Sequence, residues 1–244
     1  MAVKKAVQTA AEEPQGYNLV GQRLGRKGRD TRERILLATE RLLAEPRDTP
    51  ISLSAVARDA SLGMTTLYLY FTDLTELLLA VLDPIMATAE ESYVGHLRTR
   101  WPDEGLDQHC LRFVESFFAF WERHSRILHL RNSFADAGDQ RMGRHRVEAS
   151  SPMIELLVLQ MDGESGALLS RAYGMATALL TGIERAVTVA TDARFPNMLL
   201  DDPAPYVRNL LFAEARILEL SLCDGRAASA QALHTWKRDE TVSG

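Results

Sequence analysis

Apolar residues recur at helical spacing from about residue 35 onward. The first stripe runs from residue 35 to residue 43, with pairs of apolar residues seven positions apart. This spacing is typical of one face of an α-helix. Asp30 and Glu33 resemble a capping box, in which Asp30 is the N-cap. The pattern predicts a helix that begins at Asp30 and ends before Pro46.

Two shorter helical patterns follow, joined by a tight turn. Ser52 is a favoured N-cap residue, and apolar positions within residues 53–60 form one face of the first short helix. A turn of three residues that contains Gly63 leads to a second short helix, predicted over residues 64–71. Leu67 and Phe71, four residues apart on one side, are expected in the core, while Tyr68 is left open between core and surface. Two short helices joined in this way, after a longer supporting helix, are typical of a helix-turn-helix.

The remainder of the chain is also predicted to be helical. Asp73 is expected to cap a long helix that Pro84 kinks or breaks, because an interior proline removes a hydrogen bond and crowds the preceding turn. The prolines within residues 195–205 predict a loop there. No strand or hairpin pattern stands out, so the predicted fold class is all-α. Further helices are predicted over residues 106–123, 125–135, 140–161, 168–191 and 206–222.

Composition excludes several classes of protein. The 244 residues are 46% apolar and 25% charged, which is ordinary for a soluble globular protein. Two cysteines rule out a disulfide-rich secreted scaffold. No apolar run approaches the roughly 20 residues that span a bilayer, and the first residues lack the apolar core of a signal peptide. A cytoplasmic protein without a membrane partner is expected.

Charge is distributed unevenly along the chain. The net charge is −5, yet residues 21–34 carry six basic and two acidic side chains. Residues 1–28 lack helical apolar spacing and contain several glycines, so they are predicted to form a flexible basic arm. This arm is either a solvated tail or a group of phosphate contacts.

Four short motifs carry a resemblance to a known family. They are R-x-x-I-L-x-A from Arg32, S-L-x-x-V-A from Ser52, T-L-Y-x-Y-F from Thr66 and L-L-x-A-V-L from Leu77. Together they cover about fifty residues, and the segment resembles the DNA-binding domain of the TetR family of transcriptional regulators. The T-L-Y-x-Y-F string is the most specific of the four, since helix-turn-helix geometry alone is common.

The resemblance implies a domain organisation and a function. After the arm, it implies a helix-turn-helix domain over residues 29–83, a ligand-binding and dimerisation domain over residues 84–223, and a polar tail over residues 224–244. It implies a homodimer formed through the helices at 168–191 and 206–222, which binds a near-palindromic operator in double-stranded DNA. A small apolar effector would release the operator, as in a repressor. An activator of the same fold is the alternative.

The DNA-binding residues follow from this reading. Threonines at the start of a recognition helix allow close approach to base edges, and tyrosines can reach phosphates. A helix N-terminus presents backbone N–H groups to phosphate, and arginines supply sequence-independent attraction. The predicted DNA-binding residues are Arg23, Arg26, Lys27, Ser52, Ser54, Thr65, Thr66, Tyr68, Leu69 and Tyr70.

Some positions depart from the family pattern. Met64, Leu69 and Leu74 replace residues that are often lysine, histidine or aromatic in the family. Ser61 occupies the usual glycine position of the turn, and Gly63 stands where a serine often caps. These replacements remove phosphate and base contacts, so the operator preference does not follow from the family.

An aromatic stripe in the second domain is the candidate ligand pocket. The stripe could line an apolar pocket together with adaptable methionines, or it could be ordinary core. The predicted pocket residues are Met86, Phe113, Phe117, Phe120, Trp121, Met142, Met175 and Leu179.

Signals for other chemistry are weak. The six histidines lack metal-ligand spacing, no phosphate-binding glycine loop follows a strand, and nothing marks a catalytic nucleophile. Neither a metal, nor a cofactor, nor an enzymatic activity is therefore predicted. Cys110 and Cys223 could sense oxidants, but isolated helix cysteines are more often small buried apolar residues. An all-α enzyme and a protein-interaction module remain as alternative classes.

Overall fold

The computed structural model describes residues 25–45, 50–192 and 202–242, with side chains described as far as residue 231. All regular structure in these residues is helical, as predicted, and they contain no strand. A short 3₁₀ helix spans Val94–Leu97. The α-helices are α1 (Arg26–Ala44), α2 (Leu53–Asp59), α3 (Met64–Leu67), α4 (Leu74–Ala87), α5 (Ala89–Ser92), α6 (Leu106–Arg123), α7 (Ser125–Asp136), α8 (Gln140–Gln160), α9 (Arg171–Ala190) and α10 (Ala204–Val242).

The chain divides into two compact units between Val81 and Leu82. We call them unit 1 and unit 2. The predicted domain boundary follows Asp83, two residues later. The chain passes from one unit to the other within α4, which does not end at Pro84 but continues to Ala87. Asp73 caps this helix as expected, since its Oδ1 accepts a hydrogen bond from the backbone N–H of Glu76 at 2.9 Å.

The start of α1 corrects the sequence prediction. The helix begins at Arg26, with Gly25 as its N-cap, so the predicted N-cap at Asp30 is wrong. The helical hydrogen-bond ladder already includes Arg29 N–H to Gly25 O at 3.0 Å. Gly28 lies inside this helix. A glycine in a helix costs about 1 kcal/mol, and this cost does not prevent α1 from forming. The last residues of the predicted flexible arm are therefore helical, while residues 1–24, including Arg23, lie outside the described residues.

Unit 1 is built around a small apolar core. Ile35, Val56 and Leu67 are completely buried, and they bring α1, α2 and α3 together. Two arginines of α1 bind the end of α2: Arg34 donates to the carbonyl of Ala60 at 2.6 Å, and Arg41 pairs with Asp59 at 2.6 Å. α1 is thereby the supporting helix of the predicted helix-turn-helix.

The middle of unit 2 follows the prediction closely. α6 has the predicted bounds, and α7 and α8 end within one residue of theirs. α9 begins three residues later than predicted, at Arg171. Residues 193–201, which include most of the predicted loop over 195–205, lie outside the described residues.

The end of unit 2 corrects the prediction of a polar tail after residue 223. α10 continues to Val242 instead of ending at Leu222. Arg226 anchors the helix just beyond residue 223, because its buried guanidinium donates to the carbonyls of Gln160 and Trp101 and pairs with Asp103. Gly225 lies directly against Met161, where a Cβ atom would come within 2.8 Å of that side chain. Residues that look polar in sequence are thus bound to the body of unit 2.

Candidate nucleic-acid interface and interior cavity

The second short helix of unit 1 presents polar and apolar side chains to solvent. We call this surface the α3 face. Thr65 is exposed, Tyr68 is 49% exposed and Leu69 is 43% exposed. Thr66 and Tyr70 are half-buried beside them. The structure therefore brings five of the predicted DNA-binding residues together on one surface.

Burial of two neighbouring residues directs the α3 face outward. Leu67 and Phe71, four residues apart, are 0% and 2% exposed. Because they hold one side of the segment in the core, Tyr68 and Leu69 face away from it, whereas Tyr70 is partly buried against the same core. Tyr68, which sequence reasoning left open between core and surface, is on the surface.

The turn before α3 adopts an unusual backbone conformation. Ser61 has a φ of 53°, in the left-handed region that glycine favours. This is the position where the family pattern has glycine. Ser61 N–H donates to Arg58 O at 3.1 Å and Leu62 N–H to Ala57 O at 2.8 Å, so the α2 carbonyls impose the turn on a serine.

α3 is shorter than predicted. It ends at Leu67 rather than Phe71, and Tyr68 is its C-cap. The bonds Leu69 N–H to Thr66 O and Tyr70 N–H to Leu67 O, at 3.2 and 2.9 Å, have the tighter i to i+3 spacing. The chain therefore turns more tightly after Leu67, and this tightening exposes both Tyr68 and Leu69.

Two serines mark the beginning of α2. Ser52 is the N-cap, as predicted, and its Oγ accepts from Ala55 N–H at 3.2 Å. The hydroxyl of exposed Ser54 lies 3.0 Å from the hydroxyl of Ser52. The two hydroxyls lie within hydrogen-bond distance of each other, and that of Ser52 also caps α2. Both remain near the surface.

Basic residues of α1 have two different placements. Arg26 and Lys27 are exposed in the first turn, where no acidic side chain accompanies them. Cations at this end of a helix oppose the helix dipole, so their position is not explained by the stability of α1. Arg32 instead packs over the ring of Phe71 at 5.4 Å, and burial lowers its pKa.

Unit 2 contains a small interior cavity. Its volume is about 20 Å³, which is slightly more than one water molecule requires. Tyr93 packs edge-on against Phe117 and Phe120, with ring centroids 4.9 and 5.1 Å apart. Two adaptable side chains, Met86 and Met153, also belong to the apolar part of the lining. A ligand larger than water therefore requires some of these side chains to move.

An ion pair crosses the cavity lining. Arg131 on α7 donates to Glu184 on α9 at 2.8 Å, with side chains 5% and 20% exposed. Asn132 donates to the same Glu184 oxygen at 3.2 Å. Burial lowers the pKa of Arg131, and the charge of Glu184 acts in the opposite direction. The pair joins α7 to α9 in the interior of unit 2.

The structure separates the predicted pocket residues into two groups. Met86, Phe117, Phe120 and Trp121 line the cavity. The other four do not: Phe113 and Met142 are fully buried core, Leu179 is buried, and Met175 is half-buried. Sequence reasoning missed the polar lining residues Tyr93, Arg131, Ser150 and Glu184. The one available signal was a charged residue inside an apolar stretch, such as Glu184 within residues 179–187.

Other candidate chemistry finds little support in the described residues. Cys110 is buried, and burial raises its pKa to about 12, so its thiolate is scarce. Cys223 is exposed. Across residues 25–45, 50–192 and 202–242, no group of three or more metal-type ligands could hold an ion. In the same part of the chain, no helix is both long enough and apolar enough to cross a bilayer.

Two similar proteins bear on this geometry. The HTH-type transcriptional regulator EthR of Mycolicibacterium smegmatis is 30% identical over 105 residues. That match covers 43% of this chain and 48% of the relative, so the similarity spans about half the length of that protein. No family model matches the chain.

The fold also has a solved counterpart. SCO7518 from Streptomyces coelicolor A3(2), a protein whose assignment as a transcriptional regulator is itself provisional, superposes with a TM-score of 0.50. The two share 23% sequence identity over 78% of this chain and 98% of the other. At this identity the likeness establishes an all-α fold of the same kind.

Proposed function

We propose that this chain is a DNA-binding transcriptional regulator of the TetR type that acts in the cytoplasm as a ligand-responsive repressor. The α3 face carries the proposal. Thr65, Tyr68 and Leu69 are held outward by a buried Leu67, on a helix that follows a tight turn. This arrangement suits insertion of α3 into a major groove. The similarity to EthR, which is named an HTH-type transcriptional regulator, supports the same reading.

The charge distribution of α1 supports contact with phosphate. Exposed Arg26 and Lys27 are unfavourably placed for α1 itself, and a DNA backbone would compensate them. Arg23 precedes them in the sequence and would extend the same contact. Ser52 and Ser54 at the start of α2 offer hydroxyls to a neighbouring phosphate.

Exposed apolar residues support a homodimer. On α10, Phe212, Ile217 and Leu220 are each between 50% and 52% exposed. α9 exposes Gly174, Ala178 and Gly182, which are four residues apart and allow close approach of another helix. A second copy of this chain would cover both faces and supply a second α3 for the second half-site. Replacing both Ile217 and Leu220 by Glu should yield monomers in analytical ultracentrifugation.

The ligand response is proposed to involve the interior cavity of unit 2. A molecule bound there can weaken DNA binding only to the extent that it prefers one conformation over the other. The cavity already combines aromatic walls with an ion pair between two helices. Its occupation would therefore alter contacts that hold α7 and α9 together.

The decisive experiment is selection of bound sequences from genomic DNA fragments. A regulator should enrich a few near-palindromic sites, whereas retention of random and genomic fragments without preference would contradict the proposal. With the selected site, Thr66→Ala should weaken binding by about 1–3 kcal/mol if Thr66 makes a base contact. Thr88→Ala is the matched control, because Thr88 is exposed in unit 2 and donates only to Ile85 O.

The phosphate contacts have a separate test. Replacing Arg26 and Lys27 by Gln should reduce the slope of log affinity against log salt by about one unit for each lost contact. Specific and non-specific DNA should be affected alike, since phosphate contacts carry no sequence information. Parallel salt dependences for the two proteins would show that these residues do not touch DNA.

A further inference from the structure

The two partners of the buried ion pair differ in their freedom to move. Arg131 is 4% exposed, its Nε donates to Asn132 Oδ1 at 3.1 Å, and its guanidinium lies 5.7 Å from the centre of the Trp121 ring. These contacts hold the positive charge in place from several sides. Moving Arg131 would break all of them in addition to the ion pair.

The side chain of Glu184 can move toward solvent, whereas that of Arg131 cannot. It lines the cavity and also an open groove of about 500 Å³ bordered by α7, α8 and α9. Its side chain is 20% exposed. A rotation toward the groove would return the carboxylate partly to water, whereas Arg131 would stay buried and would need another anion.

We propose that the cavity takes a small aromatic or apolar acid whose carboxylate replaces that of Glu184 on Arg131. The inference rests on the ligand response of the proposed function and names the chemical class of the ligand. The positive group is the stationary partner and the negative group is the displaceable one. The incoming polar group is therefore an anion. A planar carboxylate matches the guanidinium with two parallel hydrogen bonds.

The remaining lining fits the rest of such a molecule. Tyr93 and Phe120 form aromatic walls, while Met86 and Met153 can shift to admit a ring. Burial raises the pKa of Tyr93, so its hydroxyl stays protonated and can donate a further hydrogen bond to the carboxylate. Because the cavity holds little more than one water, the ligand occupies space that Glu184 and the methionines vacate.

Exchange of the counter-ion has a structural consequence. The Arg131–Glu184 pair connects α7 with α9, and α9 belongs to the proposed dimer interface. When the ligand neutralises Arg131, this ion pair between α7 and α9 is lost, and the contact between His129 and Thr191, 3.0 Å apart, remains as a link between the two helices. An acid would thus change the interface from the interior, whereas an amide of the same shape would leave the pair intact.

The test compares acids with neutral and cationic molecules of the same shape. Benzoate, phenylacetate and 3-phenylpropionate, each with its amide and its amine, are titrated into the full chain by calorimetry. The tightest acid should bind at least about tenfold more tightly than its amide, since hydrogen bonds to a charged group exceed neutral ones. The amines should not bind, because Arg131 repels them.

Three variants test whether the preference for the acid depends on Arg131 and Glu184. Glu184→Gln should raise the affinity for the acid several-fold, because it removes the competing carboxylate. The double variant Arg131→Gln/Glu184→Gln, which keeps the site neutral, should bring the acid down to the affinity of its amide. The same double change at the exposed Arg98–Glu90 pair, 2.8 Å apart in unit 2, is the control and should leave the preference for the acid unchanged.

The outcomes separate this inference from the proposed function. An amide or amine that binds as tightly as its acid, no binding of any acid at millimolar concentration, or an unchanged affinity in Glu184→Gln would each overturn the inference. DNA selection is measured independently of these titrations. Intact operator binding with no acid bound contradicts the inference alone, whereas failure to select any operator contradicts the proposed function whatever the titrations show.

Discussion

The two units differ in whether they bury charged side chains. In unit 1 the Arg41–Asp59 pair lies at the surface, with side chains 57% and 33% exposed, and the polar residues of the α3 face point outward. In unit 2 the Arg131–Glu184 pair and Arg226 are largely removed from water. Unit 1 thus has its chemistry on the outside of a small apolar core, whereas unit 2 has polar groups within its core. An unpaired charge costs much more free energy in the interior of a protein than at its surface. The same substitution should therefore have very different effects on stability in the two units.

The largest expected effect is at Arg131. Arg131→Met leaves Glu184 without its partner and should lower the free energy of unfolding of unit 2 by about 3 kcal/mol, the lower end for a buried pair because Glu184 is partly exposed. Trp101, Trp121 and Trp236 all belong to unit 2, so denaturation followed by tryptophan fluorescence reports on this unit. Arg131→Met/Glu184→Met should recover most of the loss. A double variant as unstable as the single one would show that packing of the guanidinium, rather than charge, is responsible.

A core substitution in unit 1 should come next. Leu67→Ala removes a completely buried side chain and should cost about 2–3 kcal/mol, whereas Leu69→Ala, two residues away and 43% exposed, should change stability by less than about 0.5 kcal/mol. Amide hydrogen exchange in α1 and α2 measures the stability of unit 1 directly, since this unit has no tryptophan. Similar protection in both variants would contradict the assignment of Leu67 to the core and Leu69 to the surface.

A smaller effect is expected from the pH dependence of unit 2. Burial is the main cause that lowers the pKa of His145, Arg131 acts in the same direction, and Asp83 and Glu148 oppose both. Below the unfolded pKa of about 6.5, the unfolded chain binds a proton that the folded chain does not. Stability should therefore fall as the pH drops through this value, until the lowered folded pKa is reached.

His145→Gln removes this contribution. Its free energy of unfolding should vary less with pH below about 6.5 than that of the unmodified chain. The measurement is denaturation by urea at a series of pH values. Curves of equal slope in the two proteins would show that His145 is not the group that binds the proton on unfolding.

The smallest effect on stability is expected at Arg41, whose ion pair lies at the surface, in contrast to that of Arg131. Arg41→Met breaks the exposed pair with Asp59 and should cost no more than about 1 kcal/mol, because both groups remain hydrated. Hydrogen exchange in α1 and α2 checks this value. A loss as large as that of Arg131→Met would show that exposure does not govern the difference between the two pairs.

The sequence by itself determined much of unit 1. The all-α class, the Ser52 cap, the turn before α3 and the burial of Leu67 and Phe71 all follow from local spacing and are seen in the structure. The reason is that the residues of this unit that matter lie within about fifty consecutive positions. Periodicity and capping preferences act over that range.

Local sequence preferences gave wrong predictions at three places. Asp30 is a favourable N-cap, yet α1 starts at Arg26, one turn earlier, with Gly25 as its N-cap. The residues after 223 look like a polar tail, yet Arg226 finds carbonyl partners more than sixty residues away. α3 ends early because the N–H groups of Leu69 and Tyr70 bond at i to i+3 spacing, although that of Phe71 still bonds at i to i+4 spacing to Leu67 O.

Only the tertiary structure decided the interior of unit 2. Sequence reasoning found the aromatic walls Phe117, Phe120 and Trp121, which share one helix face. It could not find the Arg131–Glu184 pair, whose members are 53 positions apart on different helices. A helix pattern shows which face is buried but not which helix lies against it. The partner of a buried charge is therefore determined by packing, and this pair is where the chemistry of the cavity lies.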